Sequence, residues 1–285
     1  MRLVTYQGHT GPRVAALRDG DCIDLNQADP SLPACIKRFL ALGPEAIRRA
    51  QAAIEGGKPV PVGQCRLLPV IPAPEKVICV GLNYADHARE TGATPPSDPI
   101  VFSKFPTAVC GHGDDIVLPR ASRQVDYEAE LVVVIGRAGK NIGPSEARNY
   151  IAGYCCGNDI SARDWQIQKP GGQWLLGKSF DTFAPIGPAL VTADELPDPA
   201  NLHIQLRLNG QVMQDSYTSQ LIFSIEQLIA YVSQVCRLTP GDLLFTGTPG
   251  GVGFIRKPPV FLTPGDVVEV EIQRIGVLRN RVVAE

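Results

Sequence analysis

Glycine or proline interrupts this chain so often that long regular helices are disfavoured from the start. Together they fill 53 of 285 positions, about 19% where roughly 12% is ordinary. Proline removes a backbone donor and fixes φ, and glycine costs conformational entropy inside an element. The pieces between such interruptions must be short. A helix bundle is therefore disfavoured, and short strands, turns and loops are expected. The charge balance closes off other classes. Lys and Arg number 27 against 29 Asp and Glu, a formal net charge of −2. That supplies no global basic field for nucleic acid and no excess of like charge for disorder. No apolar run reaches the roughly 18 residues needed to span a bilayer, so neither nucleic acid nor membrane is expected as a partner.

The eight cysteines include no C-x-x-C, and the adjacent Cys155 and Cys156 cannot easily bridge. With no secretory or transit pattern at the N-terminus, they read as reduced, small apolar residues of a cytoplasmic protein.

Residues 1–70 read as a small α/β module. Strands are expected over 2–7, 14–18 and 22–25, and a helix over 44–54, ending at Gly56-Gly57. The stiff, proline-rich stretch 69–74 marks the boundary, leaving 71–285 as a second domain. There the expected strands are 76–80, 100–104, 125–135, 151–156, 242–246, 266–272 and 276–283. A hairpin is expected over 202–214 around Asn209-Gly210. Asn83 is the expected cap of a helix carrying Asp86, His87 and Glu90. Helices are also expected over 145–150 and 224–235, the latter with a Ser224/Gln227 capping box. Strands dominate without a regular βαβ alternation, which argues for a β-rich α+β fold and against Rossmann or TIM architectures.

Five stretches could carry chemistry. Asp126, Glu128 and Glu130 alternate along a strand and so share one face. They are either a solvated acidic edge or a set of anions that a cation holds together. Asp159, in Asn158-Asp159-Ile-Ser-Ala-Arg163-Asp164-Trp-Gln166, is either a helix cap or a third arm beside Glu128 and Glu130. Oxygen-only ligands suit Mg²⁺, Mn²⁺ or Ca²⁺, not Zn²⁺. His87 and Glu90 stand at i and i+3 of a helix, where a carboxylate can orient an imidazole that activates water. Alone, the pair reads equally as a surface neighbour contact. Lys178, in an apolar setting of Trp174, Leu175, Leu176 and Phe180, suits an oxyanion or a carboxylate; the stretch is not read as a nucleotide loop. The 246–253 loop, Thr246-Gly-Thr248-Pro-Gly-Gly-Val-Gly253, offers backbone N–H groups and a hydroxyl to an anion, or is a plain glycine-rich turn.

In this order the five stretches resemble the fumarylacetoacetate hydrolase family. The carrying residues are Gly81-Leu-Asn-Tyr-Ala-Asp-His87-Ala-Arg-Glu90, Asp126-Tyr-Glu128-Ala-Glu130, Asn158 to Gln166, Gly177-Lys178-Ser-Phe-Asp-Thr and Thr246-Gly-Thr248-Pro. The wording around Arg163 and Lys178 is similar to the family branch called domain-containing protein 2. The resemblance runs from about residue 75 to the end. It implies a mixed β-roll, usually dimeric, with a Mg²⁺ or Mn²⁺ ion held by Glu128, Glu130 and Asp159. It further implies His87 and Glu90 as the water-activating pair and Lys178 as oxyanion stabiliser. Arg163 and Gln166 would lie near the substrate, and Thr248 would hold its carboxylate. The founding enzyme has a fourth acidic metal ligand upstream of its histidine. No carboxylate matches it here, which implies an open three-carboxylate site and a substrate other than fumarylacetoacetate.

The expected activity is hydrolysis of a C–C bond in a 2,4-dioxo acid of the acylpyruvate type, through a metal-stabilised enolate. The alternatives at the same site are keto–enol tautomerisation or decarboxylation of oxaloacetate, and isomerisation of an unsaturated 2-oxo diacid. A non-catalytic metal-binding protein is a further alternative. A glycosidase is disfavoured, because Glu128 and Glu130 would lie on the same side of a substrate.

Overall fold

The computed structural model describes residues 1–285 in full, and strands organise it. A mixed sheet runs from one edge through Pro59–Pro61, Asp21–Asp24, Gly11–Arg18, Arg2–Gly8, Ala184–Thr192, Ile151–Asn158, Ala129–Ile135, Leu243–Phe245, Val77–Gly81 and Ile100–Lys104. A second sheet orders Gln211–Tyr217, His203–Leu208, Val267–Ile272, Gly276–Ala284 and Ile116–Leu118. It packs against the middle of the first, so the fold is strand-rich α+β. No helix is long and apolar enough to cross a membrane.

The centre of the large sheet is Ala129–Ile135, buried at every position. Its Val and Ile side chains face apolar neighbours on both sides, as a fully covered strand requires. It pairs antiparallel with Ile151–Asn158 from Ala129↔Asn158 to Val134↔Gly153. That register brings the start of one strand, near Glu130, beside the end of the other, near Asp159.

The expected strand 125–135 is broken. Val125–Asp126 pairs separately with Ser161–Ala162. Between the two pieces, the Glu128 N–H donates to the Asn158 side chain (3.0 Å) and the Glu128 carbonyl accepts from Asp159 N (2.9 Å). The alternation expected for Asp126, Glu128 and Glu130 is lost at this break, and Asp126 is directed elsewhere.

Asn83 does not cap its helix. The helix Ala85–Thr91 starts after Tyr84 with no side-chain cap. Asn83 instead donates to the Thr246 carbonyl (2.8 Å) and accepts from Phe223 N (2.8 Å). It thereby ties three loops together beneath the site. The Asn209-Gly210 hairpin forms with φ of 54° and 81°, the two left-handed positions of a type I′ turn. The helix Ile225–Val235 carries both halves of its capping box, whereas 144–150 closes only as a 3₁₀ turn.

The first 70 residues fold as strands and helices near the expected places, with Pro44–Gly56 as the long helix. A further helix, Ile36–Ala41, has no side-chain cap at its start, and its Gly43-Pro44 stop was absorbed into the start of the helix that follows. Arg2–Gly8 joins the large sheet through Arg2↔Val191 and Leu3↔Leu190. One apolar core runs from Leu3 and Phe39 to Leu131 and Val270.

Candidate active site

Glu128, Glu130 and Asp159 converge. One carboxylate oxygen from each lies within 4.8 Å of the others, and all three residues are buried. Burial and like charge both oppose three ionised carboxylates, and the protein answers with fixed cations. Lys178, 2% exposed, donates to Glu128 Oε2 (2.9 Å) and Asp159 Oδ2 (2.8 Å). Arg163 Nη2 donates to Glu128 Oε1 (2.7 Å). Burial pushes the Glu128 carboxyl up, but Lys178 and Arg163 outweigh it and hold the pKa at about 2. The same two carboxylates outweigh desolvation at Lys178 and raise its pKa, so it stays protonated. Glu130 has no such partner. Burial, with Asp159 and Glu128 beside it, drives its pKa well above the ordinary carboxylate value. Its one protein donor is the Gly247 N–H on Oε2, at 2.7 Å.

Asp126 stands apart from this trio. It accepts from Arg163 Nε and Nη2 (3.0 and 2.8 Å) and from the N–H groups of Gly253 and Phe254 (2.8 and 3.0 Å). It anchors the guanidinium that in turn fixes Glu128. Arg163 Nη1 also donates to Gln166 Oε1 at 2.9 Å. That leaves the Gln166 amide N–H₂ with no protein acceptor.

Lys104 was not singled out from sequence, yet it lies under the site. Its ammonium donates to the carbonyls of Ile160 (2.9 Å), Lys178 (2.5 Å) and Phe183 (2.7 Å). It also lies 2.6 Å from Asp159 Oδ1, at an angle unsuited to a hydrogen bond. Its only sequence signal was a charged residue ending an apolar strand, which reads as an ordinary strand end.

Glu90 reaches from the helix Ala85–Thr91 to the 247–251 loop, and His87 stands three residues before it on the same helix. His87 Nδ1 lies 3.7 Å from Glu90 Oε2, too long for a hydrogen bond in this state. Glu90 Oε2 accepts from Gly251 N at 2.8 Å. His87 Nδ1 and the hydroxyl of Tyr84 are the buried donors or acceptors on this segment with no partner. Asp86 is turned away, holding His87 N (2.7 Å) and the Ser216 hydroxyl. Across the loop, Thr248 Oγ1 accepts from Gln214 Nε2 at 2.8 Å, and its own hydroxyl proton remains free to donate.

The segment 172–179 does have the G-x-x-x-x-G-K-S spacing of a phosphate loop. It folds instead as the one-turn helix Trp174–Lys178, with the Lys178 ammonium spent on two carboxylates. A strand–loop–helix phosphate cradle is not formed.

A hard divalent cation fits the donor set. Three buried carboxylates supply oxygen ligands only, Asp159 Oδ1 lacks a hydrogen-bond partner, and Glu130 is held in an unfavourable state that a cation would relieve. The strand-rich roll and its buried acidic trio place the protein among enzymes that act on small organic acids. The family model described as fumarylacetoacetate (FAA) hydrolase C-terminal matches residues 76–283. The chain belongs to the fumarylacetoacetate hydrolase family and has its β-roll fold.

Two relatives are the oxaloacetate tautomerase fahd2, mitochondrial, of Xenopus laevis and the oxaloacetate tautomerase FAHD2A, mitochondrial, of Homo sapiens. They are 48% and 47% identical, over 99% of this chain and 90% and 92% of theirs. Two solved structures align over all of this chain and 99% of each partner. One is a 5-carboxymethyl-2-hydroxymuconate delta-isomerase from Mycobacterium smegmatis, 37% identical with a TM-score of 0.80. The other is a maleylpyruvate hydrolase from Sphingobium in complex with manganese(II) and pyruvate, 30% identical with a TM-score of 0.83. Hydrolase chemistry is thus one of several in the family, and the tautomerases share more of the sequence with this chain, 48% and 47% against 37% and 30%.

Proposed function

We propose that this protein is a divalent-metal-dependent keto–enol tautomerase of oxaloacetate. The observation that carries the choice is the identity to oxaloacetate tautomerases, 48% and 47% over 99% of the chain, against 30% to the hydrolase. The site supports it, because tautomerisation needs one base and a stabilised enolate, and no attacking water. Hydrolysis of a 2,4-dioxo acid, the reading expected from the motifs, uses the same residues and is the second reading. The maleylpyruvate hydrolase among the structural neighbours keeps it on the table.

Glu128, Glu130 and Asp159 would hold Mg²⁺ or Mn²⁺, which supplies Lewis acidity to the 2-oxo group and makes its α-proton more acidic. In the proposed roles, His87 takes the proton from C3 and returns it to the C2 oxygen, so carbon is neither gained nor lost. Glu90 orients the imidazole once the pair tightens around substrate. Lys178, kept charged by its carboxylate neighbours, offsets the negative charge that develops on oxygen. Thr248 and Gln166 offer their free O–H and N–H₂ donors to the substrate carboxylates. Arg163 acts at one remove, holding Glu128 and Gln166 in place.

We further assign the chemistry to residues 71–285, with 1–70 bracing the sheet edge. A homodimer is inferred from exposed apolar side chains at one face: Val101, Phe105 and Val235, the last 78% exposed. Eight free thiols favour a reducing compartment. The cytoplasm is the expectation, and fractionation would distinguish it from the mitochondrion named for the relatives.

The deciding experiment is proton NMR of oxaloacetate with the Mg²⁺-loaded protein. Accelerated keto–enol exchange with all four carbons retained supports tautomerisation. Pyruvate with released CO₂ would overturn it in favour of decarboxylation. Cleavage of acylpyruvates into two acids, without faster exchange, would restore hydrolysis.

A further inference from the structure

On the side of the molecule where residues 1–70 meet the rest lies a cleft of about 870 Å³, within the range of small-molecule sites. Its floor is apolar, with Leu40, Ile47 and Ile151 among the lining residues, and Leu42 is 48% exposed at its edge. Arg48, Arg137 and Arg148 surround it, against one acid, Asp194. None of these residues belongs to the carboxylate site.

The three arginines are differently committed. Arg48 pairs with Glu45 on its own helix. Arg148 gives its Nε to Glu226 at 2.7 Å and keeps its terminal nitrogens free. Arg137 has no acidic partner; its guanidinium lies over the Tyr150 ring, 5.3 Å from the centroid, which limits its freedom before anything binds. The helix Pro44–Gly56 also begins at the cleft, with no side chain capping it at Gly43. Its first backbone N–H groups add donors there, Glu45 of the same turn being paired with Arg48. Guanidinium forks bind carboxylate or phosphate through paired N–H groups, and the apolar floor suits a flat body behind such a head.

We propose that this cleft is a second ligand site, taking an organic dianion with a flat apolar body, either a phosphate monoester or a dicarboxylate. Its place in the fold connects it to the carboxylate site. Gly136 and Arg137 directly follow the strand Ala129–Ile135, and Ile151 opens the strand Ile151–Asn158. Glu130 and Asp159 stand at the other ends of the same two strands, about 20 Å away at strand rise. A ligand in the cleft would therefore grip the ends of both strands that carry metal ligands.

Calorimetric titration of the Mg²⁺-loaded full chain tests this with three probes. Adenosine monophosphate represents the phosphate arm, phthalate the dicarboxylate arm, and inorganic phosphate an anion without a body. Saturable binding of either organic probe, at least tenfold tighter than inorganic phosphate, is expected. Arg137→Glu, and independently Arg48→Glu, should weaken it at least tenfold while leaving oxaloacetate turnover without probe unchanged. Both changes lie on exposed side chains, and an unaltered Tm confirms that the fold survives. Binding that persists in both variants, inorganic phosphate binding as tightly as the organic probes, or no saturable binding at all would overturn the proposal.

Discussion

Lys104 and Lys178 are two buried ammonium groups doing different work a few ångströms apart. Burial lowers the Lys104 pKa, the pull of Asp159 opposing it. Its three carbonyl acceptors fix it as part of the floor. Lys104→Met should leave those carbonyls and Asp159 uncompensated and destabilise the protein by about 3–5 kcal/mol, the usual cost of breaking a buried pair. Urea unfolding of the metal-free protein measures this, and a loss under about 1 kcal/mol would refute a bracing role. Lys178 faces the carboxylates with its tip and is assigned to the developing oxyanion. Lys178→Ala should slow kcat for tautomerisation by roughly 10²–10³-fold, read from steady-state rates at saturating Mg²⁺; a near-wild-type rate removes it from the chemistry. Lys178 was legible because glycine and aromatic residues surround it in a short motif. Lys104 was not, because its role depends on carbonyls from positions 160, 178 and 183, which no local pattern brings near residue 104. Asp126 misled for a related reason: a period of two holds only while the strand is continuous, and the break at Tyr127-Glu128 turned it toward Arg163.

The loop 246–253 shows how an element can be recognised while its task is not. Its glycines suggested N–H groups offered to an anion, and three of them, Gly247, Gly251 and Gly253, are so used, but by the protein's own carboxylates, Glu130, Glu90 and Asp126. Gly247, which serves Glu130, is one position that tolerates no side chain. Its φ is +104°, and a Cβ there would lie 2.8 Å from the Cβ of Asn83. Asn83 is itself held by Thr246 and Phe223, so it has little room to give. Gly247→Ala should therefore cost more than about 1 kcal/mol in strain. It should also weaken Mg²⁺ or Mn²⁺ binding, because it displaces the N–H that positions Glu130. Manganese binding followed by electron paramagnetic resonance checks the second effect; full affinity in a destabilised variant would separate the loop from the metal. The hairpin at Asn209-Gly210 and the helix Ile225–Val235 were readable in detail because their signals are local, whereas the helix Ile36–Ala41 is short and uncapped at its start, and the Gly43-Pro44 that ends it reads equally as the start of the next helix.

At the scale of the whole molecule, the small net charge conceals a concentrated balance. Asp126, Glu128, Glu130 and Asp159 face Lys104, Lys178 and Arg163 in one buried region. With Glu130 protonated the set is neutral; exchanging that proton for a divalent cation leaves one positive charge for an anionic substrate. The outer surface is organised differently, with the apolar face around Val101 and Val235 at a sheet edge. Val235→Glu should shift the proteins from dimer to monomer in sedimentation analysis, and an unchanged sedimentation coefficient would place the interface elsewhere. The pH dependence of stability follows from the buried balance. Glu130 has a raised pKa in the fold. Its contribution is therefore full below the unfolded carboxyl value and is lost as pH rises through the folded one. Glu128 is held at about 2, so its contribution is present above the unfolded value and is lost as pH falls toward 2. The metal-free protein should consequently lose stability on the alkaline side, where Glu130 must ionise beside two other carboxylates. A divalent cation reverses that penalty and releases a proton as it binds. The rise in Tm produced by a fixed Mg²⁺ concentration should thus grow as pH rises above the ordinary carboxyl range, for as long as Glu130 keeps its proton, on the scale set by about 1.4 kcal/mol per pH unit for one proton. Thermal melts over that rise in pH, with Mg²⁺ and with chelator, measure it. A metal-induced shift that stays constant or shrinks with rising pH would mean that Glu130 is not the residue exchanging its proton for the ion.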